Sequence, residues 1–229
     1  AVNENQTDDP YSLYIESFPA VQEGKTTYRF YVNMQDATDR MSAVYGNDEA
    51  ELSISAPEGA YNSAFNASWN ASGINPAFLA FFPSIGGDSW ITIGIESQNV
   101  GNQVAISTVE DSAQPFVPAF TAGSAIDGQN IELNTSTGGA WFVLNGTPNG
   151  LPDADGRVLI MQLTTSGGLS GVLPVQIFEN GEGTNDLRFT FAFDGVGTFG
   201  SAVTNEGGCM DATACNYDAA ATEDDGSCT

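Results

Sequence analysis

The chain has 229 residues, 29 acidic against 5 basic, a formal net charge of −24 and no histidine. Without histidine there is no Ser-His-Asp triad, no Cys-His pair and no histidine-ligated zinc or haem. The cations Lys25, Arg29, Arg40, Arg157 and Arg188 are scattered, so nucleic acid and anionic membranes are poor partners and a divalent cation is a good one.

Only 15% of the residues are charged and 41% are hydrophobic, with 26 Gly and 10 Pro. That balance predicts a folded, turn-rich β protein rather than a disordered acidic chain. Its longest apolar run, Ala77 to Phe82, is far too short to span a bilayer. No basic and apolar leader stands before Ala1, so any secretory signal is expected to have been removed.

In chain order, residues 1–10 are polar and end in Pro, as a flexible arm would. A strand is predicted at 11–18. In 26–34, Tyr28, Phe30, Val32 and Met34 alternate with Thr27, Arg29, Tyr31 and Asn33, the period of a half-buried strand. Weaker strands follow at 40–45 and 51–55. One short helix is predicted after Asn75, with Pro76 at its first position and Pro83 as its stop. Further strands fit 90–96, 103–109, 129–134, 140–145, 157–164 and 171–179. In 187–194, Leu187, Phe189, Phe191 and Phe193 share a face. Gly, Pro, Asn and Asp clusters separate these runs, the turn chemistry of antiparallel sheets. The Gly-Gly-bounded segments around Trp90 and Trp141 echo one another, which fits either two similar halves or ordinary Trp strands. The expected fold is all-β, an antiparallel β-sandwich in one large unit or two halves (11–125 and 126–204), with a small module at 205–229.

The most specific stretch is 208–228. It holds Asp211, Asp218, Glu223, Asp224 and Asp225 together with Asn216, between Cys209 and Cys228 and with no basic residue. Calcium takes six to eight oxygens from such groups, so Asp211, Asn216, Asp218, Asp224 and Asp225 are candidate Ca²⁺ ligands. A solvated acidic tail is the plain alternative. Elsewhere, Asp153-Ala154-Asp155-Gly156 is half of a calcium loop and reads better as a β-turn. Among possible catalytic carboxylates only Glu132 and Asp194 come near an apolar strand setting. Trp69, Trp90 and Trp141 read as core before they read as sugar platforms. Sequons at Asn5, Asn66, Asn70, Asn134 and Asn145 are candidate glycosylation sites.

The 208–228 segment resembles a short module of secreted proteins from aquatic Bacteroidetes and of some algal surface proteins. The shared pattern is G-C-x-D-x-x-A-C-N-Y-[DN]-x-x-A-x-x-D-D-G-S-C. The resemblance implies a calcium-loaded repeat closed by a Cys209–Cys228 disulfide. Many copies carry a second bridge; here Glu223 replaces its partner, which leaves Cys215 either a buried free thiol or paired elsewhere. Segments 26–46, 75–95 and 138–178 are similar to large extracellular proteins of the same organisms, which implies a secreted surface or matrix protein with no known enzymatic activity.

The expected function is therefore structural and non-enzymatic: an extracellular subunit that self-assembles into a filament or surface layer, stabilised by calcium. Tyr11, Leu13, Ile15 and Phe18 would form a donor strand for a neighbouring copy, or equally a strand of their own sheet. The alternative is an adhesin or carbohydrate-binding module using Trp69 and Trp90.

Overall fold

The computed structural model describes residues 10–184, 186–201, 207–209, 211, 213–216, 223–224 and 227–229. Its strands are β1 (Ser12–Pro19), β2 (Thr26–Asn33), β3 (Arg40–Gly46), β4 (Leu52–Ser55), β5 (Trp90–Ile91), β6 (Ser107–Val109) and β7 (Ile131–Leu133). They continue as β8 (Gly139–Phe142), β9 (Arg157–Thr165), β10 (Ser170–Phe178), β11 (Asp186–Asp194), β12 (Gly197–Gly200), β13 (Gly207–Gly208) and β14 (Glu223–Asp224). Two antiparallel sheets face each other, as the alternation predicts. Sheet I runs β12-β1-β2-β9-β5, and sheet II contains β6, β8, β3, β10, β4, β7 and β11.

Sheet II is simpler than its strand count. Along β10, Ser170–Val172 pair with Ser55–Ser53 of β4, and Val175–Phe178 pair with Val44–Arg40 of β3. Strands β3 and β4 are thus one long strand interrupted at 47–51. Its neighbour is interrupted at 134–138 to give β7 and β8. Asn47 stabilises the first interruption by accepting from the Glu49 and Ala50 N–H groups, the habit that suits Asn to turns.

The core lies between the sheets. Leu13, Phe30, Val32, Val44, Trp141, Val175 and Phe191 are fully buried there, with Phe30 and Phe193 edge to face at 5.4 Å. One apolar cluster draws on residues from both sides of 125/126, and both sheets do the same. Trp90 and Trp141, the two echoed tryptophans, sit in different sheets.

A third layer covers the outer face of sheet I. The long connection from β4 to β6 folds over it and packs Ala71, Ile74, Ile85, Trp90 and Ile95 against Tyr31 and Leu159. This explains why β9 is buried on both faces and reads as a nearly continuous apolar run.

Several sequence expectations are corrected. The predicted helix is two separate 3₁₀ turns, Pro76–Phe78 and Pro83–Gly87. Asn75 does cap the first, accepting from the Ala77 N–H, but Pro83 opens the second turn instead of ending a helix. The strand expected at 90–96 stops at Ile91. Gly94 has φ +69°, and a side chain there would collide with the Asn149 carbonyl. The strand at 103–109 begins only at Ser107, and β12 was not anticipated.

Candidate functional site

The proposed donor strand is a full member of its own sheet. Every residue of β1 pairs with β2, and Ser12–Ile15 also pair with β12. Tyr11, Leu13 and Ile15 are buried, and Tyr11 meets Phe189 in a tilted ring contact at 4.8 Å while its hydroxyl donates to Asp39. Of the four named residues, Phe18 alone reaches solvent. Serving a neighbour would mean pulling β1 from between two paired strands.

In the C-terminal module the Cys209–Cys228 disulfide is formed, across a sequence separation of 19. The parallel pairing of β13 with β14 accompanies it. Cys215 is free and exposed, not buried. Asn216 acts as a pin: its amide oxygen accepts from the Thr229 N–H at 2.9 Å and from the Thr229 hydroxyl, and its NH₂ donates to the Ser227 carbonyl. Asp211 accepts from the Thr213 N–H and hydroxyl, which hold its carboxyl below the usual range. The calls on Asp218, Asp225 and the Asp224 side chain lie outside the described residues, and among the described residues no group of three His, Cys, Asp or Glu converges on a metal position.

Two of the sequons are corrected. Asn66 and Asn70 are buried and bonded: Asn66 Nδ2 donates to Asp88 Oδ2 at 2.6 Å, and Asn70 Oδ1 caps the Ala71–Gly73 turn. A glycan on either nitrogen would displace the loop. Asn134 and Asn145 are exposed; Asn5 lies outside the described residues. Glu132 and Asp194 are exposed, so neither sits in the apolar strand setting expected of it. Trp90 is buried, which removes it as a sugar platform, and Trp69 is half-buried against the core. The Asp153 turn is structural: Asp153 Oδ1 accepts from the Asp155 and Arg157 N–H groups.

The site the sequence did not single out is an aromatic face on the β4–β6 connection. Phe65 and Phe82 stack at 4.7 Å, Phe78 meets Phe82 edge-on, and Phe81 projects from the same turn. Phe81 is 77% exposed and Phe65 62%. The signal was present. Residues 59–87, between Glu58 and Asp88, contain no charged residue, in a chain of 34 charged side chains (29 acidic plus 5 basic). Charge reading of the whole chain hid that local absence.

A buried acid anchors this face. Asp88 accepts from the Ser63 N–H and from Asn66 Nδ2, clamping the two residues that flank Ala64 and Phe65. Burial pushes its carboxyl up to about 7 despite those donors, which favour the charged form. The clamp ties the loop that carries Phe65 to the start of β5.

On the outer face of sheet I, the same connection borders a cleft of about 520 Å³ beside Tyr31, Glu96, Asp153 and Arg157. A smaller one of about 240 Å³ lies beside Arg29, Trp90 and Gln162, and Glu96 and Ser97 line both. The Arg29–Glu96 ion pair, 2.8 Å, stands between them. No family model, curated protein or solved structure matches the chain.

Proposed function

We propose that this chain is a non-catalytic structural subunit of an extracellular surface or matrix layer, and that its copies associate through the aromatic face of residues 59–87. The observation that carries this reading is the exposure of Phe65, Phe78, Phe81 and Phe82 on a segment without charge. Contiguous exposed aromatics mark interaction surfaces, and aromatic residues are enriched at them. Elsewhere the excess of acid repels a second copy; here two copies meet without opposing carboxylates. The face replaces the donor strand as the route of association, because β1 is already paired on both sides.

The disulfide-closed module supports the extracellular part of the reading, since structural disulfides persist in oxidising compartments. No helix among the described residues is long and apolar enough to cross a membrane. Calcium at Asp218, Asp224 and Asp225 would reduce the charge of the tail, with Asn216 holding the loop closed rather than ligating.

Electron microscopy of the purified protein tests the association. Ordered assemblies should form, and should be lost when Phe65 and Phe81 are both replaced by Ser. Assemblies that persist in that variant would sink the proposal.

A further inference from the structure

We infer that the cleft on the outer face of sheet I binds an uncharged oligosaccharide. The inference rests on the state of Arg157 and stands apart from the association face. The Arg157 guanidinium lies over the Tyr31 ring at 4.1 Å and near Tyr14 at 5.4 Å, so two aromatic rings fix its plane. Three carboxylates surround it, Asp155 at 3.5 Å, Asp153 at 3.7 Å and Glu16 at 3.9 Å. All three are longer than the roughly 2.7–2.9 Å of a charge-assisted hydrogen bond. Its Nε is buried and has no hydrogen-bond partner. The guanidinium charge is more than offset by three carboxylates, but its donors are not engaged.

A hydroxyl group suits this arrangement. It accepts from a guanidinium and donates to a carboxylate at once, and an oxygen about 2.8 Å from each fits a gap of this width. The rest of the cleft continues the pattern. Gln98 and Gln103 supply amides, Glu96 a carboxylate, and the exposed Val100 an apolar wall for a sugar's C–H face. Its volume, about 520 Å³, falls within the range of about 300–1,000 Å³ of small-ligand sites. The adjoining cleft beyond Glu96 and Ser97 gives a chain of sugars room to continue.

Charge selects against anionic ligands. An anionic sugar would meet Glu96 and Asp153 in the lining of the cleft, on a chain of net charge −24. A neutral polyol meets no such penalty.

The test is calorimetric titration of the full chain with three neutral hexasaccharides, of β-1,3-glucose, β-1,4-glucose and β-1,4-mannose, at millimolar concentration, with an oligouronate as the anionic arm. At least one neutral hexasaccharide should bind, and the oligouronate should not. Arg157→Lys keeps the charge but loses the planar fork, and should weaken binding about tenfold or more. Gln98→Ala, an exposed change that leaves the sheet intact, should weaken it several-fold. Glu132→Gln on sheet II should leave it unchanged. No binding by any neutral probe, equal binding of the oligouronate, or binding indifferent to both Arg157→Lys and Gln98→Ala overturns the inference and leaves the cleft a water-filled groove.

Discussion

Among the described acids, Asp39 and Asp88 are the two that are buried, and each ties separate parts of the chain together. Asp39 accepts from the Tyr11 hydroxyl and from the Asp36 and Asn180 N–H groups, which joins the start of β1 to the turns beside β3 and β10. Asp88 does the same for the aromatic loop, at the expense of desolvating a carboxylate. Its folded pKa, about 7, lies above the unfolded value, so the native state holds a proton that the unfolded chain has released. Its contribution to stability is therefore full below about pH 4 and is lost as pH rises through 7. Measured by denaturant melts, stability should fall between pH 5 and pH 8. The fall should be smaller in Asp88→Asn by an amount of the order of a few kcal/mol. The general repulsion of the acidic surface acts in both proteins, so an identical pH slope in wild type and variant would contradict the assignment. At this scale the sequence was least legible. Asn66 carries a sequon and Asp88 sits in a glycine-rich echo, yet the bond between them spans 22 residues, which no local pattern encodes.

At the scale of elements, β1, β2, β10 and β11 were legible to within a residue or two because each has one face on the common core, and β9 because burial on both faces gives it a nearly continuous apolar run. The short strands were overextended where tertiary contacts cut them. Gly94 turns the chain at Asn149 and ends β5, a constraint invisible in the apolar run Trp90–Ile95. The two alternatives for β1 could not be separated by sequence, since a strand that completes its own sheet and one that completes a neighbour's share one pattern. Placement between β2 and β12 has a direct consequence. Deleting residues 1–18 should abolish the cooperative unfolding transition, since it removes buried Leu13 and Ile15 and opens cavities costing about 2–5 kcal/mol each. A folded, cooperative 19–229 fragment would contradict the pairing. In the tail, the calcium proposal predicts that titration of the full chain shows binding which Asp225→Ala weakens and which reduction of Cys209–Cys228 weakens further. Binding untouched by both changes would place the cation elsewhere.

On the scale of the whole molecule, charge is unevenly distributed along the chain. A chain with a net charge of −24 holds 29 consecutive residues, 59–87, without a charge, and these carry the most exposed phenylalanines. The class of fold followed from composition and pattern, and the disulfide-closed tail from the resemblance of 208–228; the face did not, because exposure depends on how the β4–β6 connection lies across sheet I. Association through such a face has a particular salt dependence. Repulsion between the acidic surfaces is screened within about 3 Å at 1 M salt against about 10 Å at 0.1 M, while apolar burial is not weakened. Sedimentation velocity of the wild-type chain and of Phe65→Ser/Phe81→Ser, across protein concentration at low and high NaCl, measures this directly. The wild type should associate with rising concentration, and more strongly at high salt, while the variant sediments as a folded monomer throughout. A wild type that stays monomeric at high salt, or a variant that associates as the wild type does, would contradict the account.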